Sequence, residues 1–139
     1  MAISDFQEII SDFNFLEDWE DRYRYIIDLG KKLEPLEASL KNETTKVAGC
    51  ASQVWLAYEF IDEGTSRSIT FKGDSEAIIV KGLVAIILIL FNGEKIIDAK
   101  NIDPEMEFKK LGLDEHLSSQ RSNGLRSMLN RITHVIRSN

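Results

Sequence analysis

From Ala77 to Phe91 the chain is apolar except at Lys81 and Gly82. The run falls short of the about 20 residues that span a hydrocarbon core. It reads instead as a helix buried on most sides, stopped by Asn92-Gly93. A helix without a polar face has to be wrapped, and the other segments supply the wrapping. Gly82 inside it costs on the order of 1 kcal/mol relative to Ala, and close packing against another backbone would explain that cost. A chain of 139 residues with 43% hydrophobic and 29% charged residues accommodates one such core, so residues 1–139 read as a single soluble globular domain.

Ahead of this run lie two strand patterns. Ser52 to Ile61 is rich in β-formers, with Val54, Leu56, Tyr58 and Phe60 on one face and Trp55, Ala57 and Ile61 also apolar. After the turn signal Glu63-Gly64-Thr65-Ser66, Arg67 to Lys72 alternates, placing Ile69 and Phe71 inward and Ser68, Thr70 and Lys72 outward. The pair predicts an antiparallel hairpin. Two strands alone are marginal, so a third from around Val47, or helical cover, is required.

Helical spacing accounts for the rest. Phe6, Ile9, Ile10 and Phe13 form one apolar stripe; Trp19, Tyr23, Ile26, Ile27, Gly30 and Leu33 form a second, opened by Asp18. The short break between them suggests an antiparallel helical hairpin. Asp103-Pro104 has the favoured N-cap and first-turn arrangement, and Leu125, Met128, Leu129, Ile132, Val135 and Ile136 give a last stripe. The fold class is α+β, a small antiparallel sheet covered by helices on one face.

The net charge of −6 argues against broad nucleic-acid binding. Arg121, Arg126, Arg131 and Arg137 do not share a helical stripe, so the basic C-terminal segment reads as a solvated helix. Ile3 to Phe13 is already amphipathic and acid-bearing, which does not fit a signal peptide. A single cysteine fits a reducing compartment, and a cytoplasmic, membrane-free protein is expected.

That cysteine is Cys50, in the small-residue stretch Val47-Ala48-Gly49-Cys50-Ala51-Ser52 that leads into the first strand. A thiol there is inert if packed and nucleophilic if presented as a thiolate; the residues alone leave both readings open. One Cys and two His cannot make a four-ligand zinc site or a cysteinyl iron–sulfur cluster, so no metal and no cofactor is expected. A Cys–His hydrolase would need His116 or His134 as base, and neither sits in a protease signature. One nucleophile without a chemical partner suits a carrier, because a thiolate can take sulfane sulfur from another protein's persulfide by exchange.

Four blocks then coincide with one family. The stretch from Val47 to Trp55 resembles the SufE cysteine motif, and Gly73-Asp74-Ser75-Glu76-Ala77-Ile78-Ile79-Val80-Lys81-Gly82-Leu83 resembles that family's second signature. Ser119 to Leu125 is similar to its third, and Trp19-Glu20 with Tyr25 to Gly30 to its N-terminal helix. Glu76 stands where Asp is common, and Ala51 at a variable position. The resemblance implies a fold shared with IscU-type scaffold proteins. It also implies a persulfide on Cys50, received from a pyridoxal-phosphate cysteine desulfurase of the SufS type, which docking stimulates. The sulfur would pass to the SufB–SufC–SufD complex. By the same matching Arg121 lies near the transfer site, where it would steady a thiolate or persulfide; Asp74 belongs to a docking segment, or simply caps the following helix; and Gln53 shapes the cysteine loop, or is an ordinary strand residue. SufE and its relative CsdE, which serves a different desulfurase, are not separated by these motifs. A binding module with a structural cysteine is the competing class.

Overall fold

The computed structural model describes residues 2–139. In chain order it contains α1 (Ala2–Phe15), α2 (Trp19–Lys31), β1 (Val54–Glu63), β2 (Ser66–Ser75), α3 (Ile78–Phe91), α4 (Ile96–Ala99), α5 (Pro104–Lys109) and α6 (Ser119–Arg137). Short 3-10 turns occupy Ala38–Leu40 and Leu113–Glu115. The expected α+β class holds, with one antiparallel pair, β1–β2, running in register from Val54↔Ser75 to Glu63↔Ser66.

α3 is the hub. Ile79, Val80, Leu83, Val84, Ile86, Ile87, Leu90 and Phe91 are all buried, so most of the helix surface meets another element. One face takes β2, and others take α1 and α2. The crossing with α2 explains Gly82. A Cβ on Gly30 would sit 2.7 Å from the Gly82 backbone nitrogen, and a Cβ on Gly82 would run into the Ile26 carbonyl. Two glycines let the backbones touch, and the dispersion gained along the whole contact offsets the helix propensity lost at each.

α1 and α2 depart from the expected helical hairpin. Both pack chiefly on α3 rather than on each other, because the helix that is apolar all round offers more area to bury than two one-faced helices offer one another. What joins them directly is one edge-on contact of the Phe13 and Tyr25 rings, with centroids 5.5 Å apart, and a set of polar bonds. The Tyr25 hydroxyl donates to Asp12 at 2.6 Å, and the Arg22 guanidinium donates to the carbonyls of Phe13 and Leu16 that end α1. The N-caps behave as the residue types require: Asp18 accepts from Glu20 N–H, Asp103 from Met106 N–H and Ser118 from Arg121 N–H.

The hairpin is completed from outside. On the β1 edge, Val47 N–H donates to Val54 O at 2.9 Å and Leu56 N–H to Thr45 O at 2.8 Å, so the residues around Val47 do act as a partial third strand. The β2 edge is closed by the turn after α3. Asn92 exchanges two hydrogen bonds with the Phe71 backbone, at 2.7 and 3.0 Å, and Ile69 N–H donates to Glu94 O. This turn also buries Ser68, expected to face outward, because Lys95 bridges to it. Beyond the reach of α3 the hairpin projects into solvent, and Tyr58 and Ile61 are 48% and 44% exposed. Among the described residues no helix is long and apolar enough to cross a membrane.

Candidate functional site

Cys50 lies at the tip of the loop that the Val47–Val54 and Thr45–Leu56 hydrogen bonds close. Gly49 supports the turn with a φ of +90°, a left-handed conformation that a side chain would strain. It also passes against α6 so closely that a Cβ would lie 2.5 Å from the Ser127 hydroxyl. The far side of the loop is tied to the second signature: Ser75 Oγ donates to Gln53 O at 2.8 Å, and Gln53 N–H donates to the Glu76 carboxylate at 3.3 Å. The near side is tied to α6, where the Arg131 guanidinium donates to Thr44 O and Lys46 O at 3.2 and 2.8 Å.

The thiol is half-buried and points toward α6, its Sγ 3.5 Å from the Gly124 carbonyl. Gly124 packs against the cysteine, and a Cβ there would stand only in ordinary contact with the sulfur at 3.6 Å. Beside the sulfur opens a cleft of about 310 Å³. Its floor is apolar, from Val80, Leu83, Leu125 and Met128, and its rim is polar, from Ser52, Ser118, Gln120 and Arg121. Burial pushes the Cys50 thiol above its ordinary pKa; the charged form loses water without gaining an equivalent partner. At neutral pH the resting group is a thiol.

Arg121, named from the sequence, is at the rim of this cleft, in the first turns of α6. Its Nη1 donates to the Tyr23 hydroxyl of α2 at 3.0 Å. Gln53 is exposed, and its bonds to the neighbouring segment run through its backbone rather than its amide. Asp74 requires correction. The N-cap position of α3 belongs to Ala77, because β2 continues through Ser75 and the helix starts only at Ile78. Asp74 is also buried, only 4% exposed. Its carboxylate accepts from Leu36 N–H at 3.1 Å and Ser75 N–H at 2.8 Å, with the ammonium groups of Lys41 and Lys81 at 3.3 and 3.4 Å. Burial alone would raise its pKa, but those donors outweigh it and hold the group below the usual carboxylate range. Lys41 continues onto the Trp55 ring at 5.0 Å.

Neither histidine lines the cleft. His134 is exposed on α6, and His116 stacks on Trp19 with ring centroids 3.9 Å apart. Among the described residues no three His, Cys, Asp or Glu side chains converge as a metal-ligand set. Three contributors to the site are not evident in the sequence. Arg131 reads there as a solvated cation, Ser127 lies between stripe positions, and Tyr23 reads as core. Only Gly124, inside the third signature, carries a local signal.

The geometry coincides with a family pattern. Residues 7–136 match the family model described as "SufE: Fe-S metabolism associated domain". A SufE-like protein of Rhizobium meliloti is 51% identical over 125 residues, covering 90% of this chain and 89% of the relative. A SufE-like protein of Rhizobium etli is 49% identical over 132 residues, covering 95% and 89%. A solution structure of a hypothetical protein from Thermus thermophilus superposes with a TM-score of 0.74 at 18% identity, over 96% of this chain and 93% of that one. At that identity the likeness is one of fold.

Proposed function

The chain belongs to the SufE family, and on that premise we propose that Cys50 is the sulfur-carrying residue of an acceptor protein. The reaction is an exchange. A Cys50 thiolate attacks the terminal sulfur of a persulfide on a cysteine desulfurase; a bond forms between Sγ and that sulfur, and the donor's S–S bond breaks. The donor cysteine leaves as a thiolate with the electron pair, so no external oxidant or reductant is needed. The proton given up by Cys50 goes to solvent or to that leaving thiolate. Pyridoxal phosphate belongs to the donor, and the carrier brings only its thiol. Unloading the desulfurase in this way stimulates it, and the SufB–SufC–SufD complex is the proposed recipient, in the cytoplasm.

The observation that carries this reading is the placement of the lone thiol at a loop tip, over a cleft large enough to hold an added sulfur. Burial that keeps the thiol protonated also shelters a charged persulfide from soluble thiols, so docking has to draw the loop out. The experiment is desulfurase turnover, followed as alanine released from cysteine by a SufS-type enzyme with and without this protein. Stimulation by the native chain and none by Cys50→Ser supports the reading. Equal stimulation by both assigns Cys50 a packing role, the reading favoured by its hydrogen bond to Gly124, and makes the protein a binding module. Stimulation only with a different desulfurase moves it to the CsdE-like branch.

A further inference from the structure

We propose that Tyr23 is a positioning residue for Arg121, holding its guanidinium at the rim of the Cys50 cleft with the full positive charge still available to an anionic sulfur. The inference rests on the carrier reading for its purpose, though its geometry is independent of it. Arg121 is exposed on the first turns of α6, where a long side chain would ordinarily sample many rotamers. Here its Nη1 donates to the Tyr23 hydroxyl at 3.0 Å, across 98 residues of sequence.

The hydroxyl is itself held. The Tyr23 ring packs edge-on against Trp19, with centroids 5.6 Å apart, and Trp19 lies flat on His116 at 3.9 Å with 18° between planes. His116 follows the 3-10 turn that leads into α6. The aromatic stack therefore joins α2 to the segment immediately ahead of Arg121, so anchor and arginine are fixed relative to each other from both sides.

The choice of anchor decides the chemistry. A carboxylate in place of the phenol would hold the guanidinium more tightly, but would cancel its charge. A neutral hydroxyl accepts one N–H and leaves the remaining donors and the whole charge free. Among the described residues no carboxylate forms an ion pair with Arg121. Cys50 and Arg121 line one cleft. A charge held on that rim would favour both the thiolate formed during attack and a charged persulfide, which burial otherwise penalises.

The test uses the full chain and two alkylating probes of similar size, anionic iodoacetate and neutral iodoacetamide, with Cys50 modification followed by intact mass. A poised Arg121 favours the anionic probe. Tyr23→Phe keeps the ring stack and removes only the anchor, and should lower the iodoacetate-to-iodoacetamide rate ratio about threefold, the scale of a unit charge acting across several ångströms of water. Arg121→Ala should lower it at least as far, and the double variant no further. A merely structural role for Tyr23 would change both rates together and leave the ratio alone. An unchanged ratio in Tyr23→Phe, an unchanged ratio in Arg121→Ala, or effects that multiply in the double variant would each overturn the proposal. The assay needs no sulfur donor, so its failure is separate from a failure of sulfur transfer.

Discussion

Cys50 and Asp74 stand at the same end of the hairpin, one on the loop ahead of β1 and the other opposite Trp55 on β2, yet the fold treats them in opposite ways. Asp74 is the more deeply buried, and its charge is met by two backbone N–H groups and two ammonium groups. Cys50 is less buried, and no donor touches its sulfur: the group it contacts is a carbonyl, and the Arg121 charge stands only at the cleft rim. One site holds an anion among donors; the other leaves its thiol without donors for the charged form, as the proposed carrier role would use it. Burial alone therefore does not separate structural from reactive groups; what decides is whether the charged form finds donors.

Removing each group should break this contrast in a different way. The largest effect is chemical: Cys50→Ser should lose sulfur loading completely while melting near the native temperature, measured by mass and by thermal denaturation. Asp74→Ala should do the reverse. It leaves two N–H groups and two lysines without their acceptor, and should lower unfolding stability in urea by about 2–3 kcal/mol, less than a fully buried pair because Lys41 and Lys81 stay partly solvated.

Titration sharpens the same contrast. The folded pKa of Asp74 is depressed, so its contribution is complete above the ordinary carboxylate range near about 4 and is lost as pH falls through the folded value. The stability gap between the native chain and Asp74→Asn should therefore narrow in acid. The folded pKa of Cys50 is raised, so its alkylation by iodoacetamide should have a midpoint above the about 8.5 of a free cysteine. A midpoint below that value would mean that the resting site already favours the thiolate.

The smallest expected effect concerns the loop's tether. Arg131→Ala removes two hydrogen bonds to Thr44 O and Lys46 O, which are exposed and cost only about 1 kcal/mol of stability. The same change should free the cysteine loop enough to speed Cys50 alkylation several-fold, read from the rate at fixed pH.

The elements with a strong period were legible in the sequence: the apolar run of α3, the alternation of β2 and the stripe of α6. Gly82 could be read as a close-packing glycine because its cost in a helix demanded a compensating contact, although the partner, Gly30, needed the structure. Asp74 misled because Gly-Asp-Ser ahead of an apolar run looks like a cap, while the strand in fact continues through it. The closure of the β2 edge by Asn92 and Glu94, and the tether from Arg131, left no local mark, since hydrogen bonds between segments distant in sequence impose no spacing. Within the site, Cys50 and Arg121 were named from motifs; Tyr23 was hidden inside an ordinary aromatic stripe, and only its hydroxyl, not its ring, distinguishes it.

The most direct test of the carrier role is intact-mass spectrometry after incubation with a SufS-type desulfurase, pyridoxal phosphate and cysteine, without reductant. The native chain should gain sulfur that thiol treatment removes and that Cys50→Ser never shows. An unloaded native chain beside a desulfurase shown to turn over, repeated with a second desulfurase, would contradict the role and leave Cys50 a packed residue of the loop.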